Sequence, residues 1–205
     1  GYYGTGSGFH GYFVRFGGST AQVINAGLNT YFYHFYVSNS VNVSLATNIY
    51  VAGNFYLFQG TFTPATYTIT FNGTEGPTVV QTVGCYTGGV LNFYGWHIVG
   101  GAYVRLLYDA TWLGNFLNEG TFYGYNLVGG VYTYYTATFG GTVAQTLTVG
   151  PSSGRYEFGH VRITNVVSGG LTFNCPDVYV FGNWYNAGVF YCGTSTVYFN
   201  GIGTA

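Results

Sequence analysis

A motif that returns at long intervals constrains this chain more than any local propensity does. Gly182-Asn183-Trp184-Tyr185-Asn186-Ala187-Gly188-Val189-Phe190 is closed nine residues later by Phe199-Asn200-Gly201. Gly114-Asn115-Phe116-Leu117-Asn118-Glu119-Gly120-Thr121-Phe122 repeats its internal spacing. A third copy, Gly53-Asn54-Phe55 through Gly60-Thr61-Phe62, carries one extra residue and closes at Phe71-Asn72-Gly73. Self-similarity at a fixed long period is the signature of stacked structural units, each burying its apolar face against the next.

Other markers follow the same register. Phe-[Gly/Asn]-Gly occurs as Phe16-Gly17-Gly18, Phe71-Asn72-Gly73, Phe139-Gly140-Gly141 and Phe199-Asn200-Gly201. A glutamine comes after three of these, at Gln22, Gln81 and Gln145. His34, His97 and His160 are spaced by 63 and 63 residues. Asn48, Asp109 and Asp177 each stand five residues before a Gly-Asn-aromatic. The unit is thus about 60 residues long. Approximate units are 1–62, 63–122 and 123–190, with 191–205 a partial copy, in one array. Tyr125 to Tyr135 reads as an insertion, and no linker or charge block divides the chain.

Composition narrows the class. The 205 residues include 35 Gly, 23 Tyr and 18 Phe, but only four basic and five acidic residues. Aromatic and β-branched residues suit a pleated, half-buried surface and are too many for disorder. So few basic residues exclude a nucleic-acid footprint or an anionic-lipid surface. No apolar run reaches the length of a membrane-spanning helix. The first residues carry neither a basic n-region nor an apolar h-region, so no secretory signal is expected within the chain. Tyr67 to Phe71 and Thr142 to Val149 alternate with period two, as strands with one buried face do. Glycine-bearing turns arrive every five to ten residues, and the expected helix content is near zero.

Together these residues predict an all-β parallel solenoid, about three coils to each unit. A coil of roughly 20 residues rising about 4.8 Å gives about ten coils and a length on the order of 50 Å. Asn, Gln and aromatic residues are expected to stack in ladders. Near-absence of charge fits, since like charges stacked one coil apart repel. The structural repeat positions are Gly53, Asn54, Phe71 and Gly73, then Gly114, Asn115, Phe139 and Gly141, then Gly182, Asn183, Phe199 and Gly201. A β-sandwich pilin-like subunit that polymerises by donating a strand is the alternative architecture. A membrane β-barrel ranks third, because its strands should alternate over about ten residues.

Val180-Phe181-Gly182-Asn183-Trp184-Tyr185-Asn186-Ala187-Gly188-Val189-Phe190 and Val197-Tyr198-Phe199-Asn200-Gly201 resemble a repeat of large prokaryotic surface and adhesin-like proteins. The resemblance covers nearly the whole chain in three degenerate copies. It implies a β-solenoid outside the cell, at the cell surface, and speaks to architecture rather than activity. Tyr and Phe occupy many strand positions where the repeat usually has Thr, Ser or Asn.

Signals for chemistry are sparse. Gly6-Ser7-Gly8-Phe9-His10-Gly11 matches G-x-G-x-x-G, but a strand follows it instead of the helix a dinucleotide needs. In a regular solenoid the three histidines stand about three coils apart, too far to share a metal. They read as a polar position of the repeat. Asn48, Asp109 and Asp177 read as Asx turns, and the carboxylates are too dispersed for calcium. Glu75, Glu119 and Glu157 fall at different repeat phases, so no glycosidase pair is visible. No catalytic, cofactor-binding or metal residue is assigned, and no enzyme activity is expected. Cys175 and Cys192, seventeen residues apart, are candidates for a disulfide between adjacent coils.

The resulting expectation is a structural subunit or segment of an extracellular filament or adhesin. Its partners are copies of itself, head to tail, since uncapped coils template further strands. Surface glycans are a second partner class, through tyrosines stacked on sugar rings. A carbohydrate-binding or carbohydrate-active β-helix and a donor-strand pilin are the alternative functions.

Overall fold

The computed structural model describes residues 13–25, 27, 30–73, 80–86, 88–150 and 154–201. Within them every regular element is a strand and none is a helix. The strands wind into a parallel β-solenoid with three faces.

The chain crosses the faces in the same order on each turn. Turn one is β1 (Phe13–Gly18), β2 (Gln22–Ile24) and β3 (Thr30–Phe32). In turns two and three, β4 (His34–Leu45) and β6 (Phe55–Thr63) each bend at a register shift and serve the first two faces. β5 (Ile49–Val51) and β7 (Thr68–Phe71) complete them. Turn four is β8 (Gln81–Cys85), β9 (Leu91–Phe93) and β10 (Gly95–Ile98). Turn five is β11 (Tyr103–Leu106), β12 (Ala110–Trp112) and β13 (Phe116–Asn118). Turn six starts with β14 (Thr121–Tyr123) and leaves the solenoid for a hairpin, β15 (Tyr125–Val128) and β16 (Val131–Tyr134). It resumes with β17 (Thr136–Phe139) and β18 (Gln145–Val149). Turn seven is β19 (Arg155–Phe158), β20 (His160–Ile163) and β21 (Leu171–Asn174). Turn eight is β22 (Asp177–Val180), β23 (Trp184–Asn186) and β24 (Phe190–Tyr191), and β25 (Thr196–Phe199) opens a ninth.

The first face is the sheet from β1 to β25, the third the eight-stranded sheet from β3 to β24. The second runs from β9 to β23, continued downward by β2 and the far halves of β4 and β6. Every pairing in these sheets is parallel. The hairpin alone is antiparallel, and it occupies the predicted insertion. Its tip, Gly129-Gly130, has φ of 58° and 85°, the left-handed pair a two-residue hairpin turn needs.

Alternation builds the core. In β5, β9, β12 and β13 the outer two residues of each triplet are buried and the middle one faces out. Inside, aromatic rings run up the axis: Phe35 stacks on Phe55 at 5.1 Å, and Trp112 on Phe139 at 5.6 Å. Such contacts contribute about 0.5–1.5 kcal/mol each beyond area burial.

Two expectations need correction. There are eight full turns rather than ten, because a turn takes from 18 residues (Tyr103 to Thr121) to 34 (Thr121 to Arg155). At about 4.8 Å per turn the stack is roughly 38 Å tall. Nor do equivalent residues stack in ladders. Phe16 lies in a strand of the first face in turn one, Phe71 ends one of the third face in turn three, and Phe139 ends one of the second face in turn six. Phe199 ends β25, back on the first face. Each step is two turns and two faces. The sequence repeat is therefore eight strands on a three-strand turn, or two and two-thirds turns. Because eight is not a multiple of three, each copy is rotated by one face, and three copies fill eight turns before the face recurs.

Candidate functional site

The predicted repeat positions come together in three equivalent corner sockets, two filled and one open. In the first, the Gln81 side-chain amide donates to the carbonyls of Val51 and Gly53, both at 2.8 Å. Its Oε1 accepts from the Gly73 N–H at 3.0 Å, and the Asn72 N–H donates to Val51 O at 3.1 Å. One residue past the glutamine, the Thr82 N–H donates to Asn54 Oδ1 at 2.9 Å. Phe71, wholly buried, leads into this corner.

The second socket repeats each bond. Gln145 donates to Trp112 O and Gly114 O, both at 2.9 Å, and accepts from Gly141 N–H at 3.2 Å. The Gly140 N–H donates to Trp112 O, and the Thr146 N–H donates to Asn115 Oδ1 at 2.9 Å. Phe139 is buried as Phe71 is. The physical need is plain: at a solenoid corner the backbone leaves the strand ladder, and a buried glutamine pairs the peptide groups stranded there. Sequence reasoning flagged the glutamines but not their partners, which lie up to 33 residues back on the turn below.

In the third socket the Asn200 N–H donates to Val180 O at 2.9 Å, as its counterparts do. No glutamine enters it. Among the described residues the Gly182 carbonyl, the Gly201 N–H and Asn183 Oδ1 have no hydrogen-bond partner, and Phe199 is 62% exposed. Gln22 lies at the other end of the solenoid, on the same second face. Its Oε1 accepts from Asn39 Nδ2 at 3.0 Å, as Gln145 Oε1 accepts from Asn165 Nδ2 at 2.9 Å. Among the described residues its side-chain NH2 has no hydrogen bond.

The other markers divide. His34 Nδ1 accepts the Asn54 N–H at 2.9 Å, and His160 Nδ1 the Asn183 N–H at 2.7 Å. Each imidazole lies under the glycine of the motif; a Cβ on Gly53 would sit 2.5 Å from His34 Nδ1. His97 is not their equivalent. It stands third in β10, where Gly95 takes the first place, and its Nε2 meets Glu119 Oε2 at 3.2 Å. The three histidines lie on three different faces. Asn48 and Asp109 do not form Asx turns: they accept the N–H groups of Thr68 at 2.8 Å and Thr136 at 2.7 Å, one turn above.

The predicted disulfide is absent. Cys175 and Cys192 are free, the first buried and the second exposed. The register explains it: Thr172 pairs with Tyr191, so Cys192 stacks beside Phe173, while Cys175 Sγ faces Ser195 Oγ at 3.5 Å.

Glu75 lies outside the described residues. Glu119 lies in the corner after β13 and bonds to His97, whereas Glu157 lies on β19 of the first face and bonds to Tyr125 and Arg155. Glu157 is buried between Arg155 Nε at 2.5 Å and the Tyr125 hydroxyl at 2.5 Å, which pins the hairpin to β19. Burial, and then the bond to Glu157, push the Tyr125 phenol well above its usual range. A shallow groove of about 500 Å3 on the second face is lined by Thr136, His160, Val161, Arg162, Asn183 and Tyr185, none of them a carboxylate. No group of three metal-ligating side chains occurs among the described residues, and no helix there is long and apolar enough to cross a membrane. Compared with protein families, curated proteins and solved structures, the chain has no match in any of the three.

Proposed function

We propose that this chain is a structural segment of an extracellular surface filament or adhesin, built by stacking solenoids end to end. One observation carries the reading: three eight-strand repeats fill eight whole turns, so Phe16 and Phe199 lie in strands of the same face. A copy added on the axis continues the three sheets without rotation. Among the described strands, β1, β2 and β3 at one end and β23, β24 and β25 at the other have an unpaired edge. Such edges template further parallel strands, and a head-to-tail contact of this kind need not close. The chain has no turnover of its own in this reading: Glu119 bonds to His97, and Glu157 is held by Arg155 and Tyr125. Electron microscopy with analytical ultracentrifugation tests it. Unbranched filaments with an axial repeat near 40 Å are expected; monodisperse monomers at all concentrations overturn it.

A second reading, glycan binding, has its own observation. On the outer first face Phe58 and Tyr86 stack at 4.9 Å with planes 4° apart, beside Tyr56 and Tyr36, and Tyr86 is 63% exposed. Flat exposed rings suit the apolar faces of sugars. Titration with soluble polysaccharides checks it, with loss on Tyr86→Ala expected.

A further inference from the structure

The end-to-end stacking just proposed leaves open what joins two copies, and the open socket specifies it. We propose that Gln22 of a second copy fills the corner formed by Val180, Gly182, Asn183 and Gly201. The two filled sockets define what the third accepts. It takes a glutamine whose NH2 bonds two corner carbonyls, followed by a residue whose N–H bonds the motif asparagine. Next comes an aliphatic residue paired with the motif aromatic: Val83 with Phe55, and Leu147 with Phe116. Gln22-Val23-Ile24 supplies all three in order. Its NH2 reaches Val180 O and Gly182 O, Val23 N–H reaches Asn183 Oδ1, and Ile24 lies on Trp184. Both elements belong to the second face, β2 at one end and β23 at the other, so no rotation is required.

The docking is a strand exchange. β1 and β25 are the same strand of the repeat, with Val14, Phe16 and Gly18 matching Val197, Phe199 and Gly201. When β2 of the upper copy sits on β23, only one of these strands fits beside it. β25 is held by β22 through four residue pairs and presents the Gly201 N–H that the socket needs. It therefore takes the place of the upper copy's β1 under that copy's β4. Pairing lost by β1 is regained by β25, while β2 on β23 and β3 on β24 are net additions.

Cross-linking in the full chain tests this. In the docked register Asn25 of one copy pairs with Tyr185 of the other, both exposed. Asn25→Cys and Tyr185→Cys proteins, mixed and oxidised, should give a disulfide-linked dimer whose bridging peptide joins positions 25 and 185. Neither variant alone should give it, which controls for the native Cys192. Gln22→Glu keeps the acceptor for Asn39 but turns an acid toward two carbonyls, and should lower the yield at least tenfold; Asn183→Ala should lower it to a smaller degree. Circular dichroism confirms that each variant folds. Filaments that persist with Gln22→Glu and give no 25–185 link overturn the socket and leave stacking intact. A third socket occupied by a later glutamine of the same polypeptide also overturns it. Absence of any assembly overturns both.

Discussion

Phe139 and Phe199 are the same residue of the same motif, yet Phe139 is wholly buried and Phe199 is 62% exposed. The difference lies in the neighbour above. Phe139 has β20 over it, whereas no described strand covers β25. Gln145 and Gln22 divide in the same way, the first buried with its bonds filled on both sides, the second bonded upward only. A solenoid turn thus owes its burial to the turns beside it, and the end turns carry the sequence of a core without its stability.

Substitution in matched pairs separates the two regions. Phe139→Ala is expected to destabilise by about 3–5 kcal/mol, the range for a buried aromatic cut to a methyl. Phe199→Ala in the isolated chain costs about 1 kcal/mol or less. Urea titration followed by tryptophan fluorescence measures both, and equal costs break the comparison. Gln145→Ala strands Gly114 O and Gly141 N–H and leaves Trp112 O with the Gly140 N–H alone, and a loss of about 2–4 kcal/mol follows. Gln22→Ala in the monomer loses about 1 kcal/mol at most, its bond to Asn39 being the one at stake. Under assembling conditions the Gln22 variant should show the larger defect, and that reversal sharpens the contrast.

Smaller effects should follow the same division. A methyl on Gly53 meets the His34 ring and Tyr33 O, so Gly53→Ala costs about 1–3 kcal/mol. Gly27, in the first turn, has nothing among the described residues within 4 Å of an added Cβ, and Gly27→Ala is expected to be neutral in thermal melts. Smallest is the hairpin anchor: Tyr125→Phe removes the bond to Glu157 for about 1 kcal/mol. The sign of its pH dependence is set by a phenol raised in the folded state. Stability from Tyr125 is full below the ordinary tyrosine value of 10.0 and is lost as pH rises through the higher folded value. Tyrosinate absorbance during alkaline titration should show a late-ionising phenol that Tyr125→Phe removes.

The candidate site was half legible. Gly53, Asn54, Phe71 and Gly73 stand out in the sequence because a corner tolerates few alternatives, and the sockets are built on them. What Gln81 bonds was not legible, because its partners are 28 and 30 residues away and fall on the turn below. His97 misled for the opposite reason: its spacing matched, but its place in the strand did not, and Gly95 lies in the position of His34 and His160.

The sequence by itself determined an all-β parallel stack. Period-two alternation and glycine corners are local properties, and a long repeat needs like units packed on like. Only the tertiary structure decided that each turn takes three strands while each repeat takes eight. Turn closure depends on pairing between residues from 18 to 34 apart, where corners and insertions of unequal length intervene. No pattern within one repeat counts the faces. That count sends the same motif to three different sides of the solenoid and returns it to the first after eight turns.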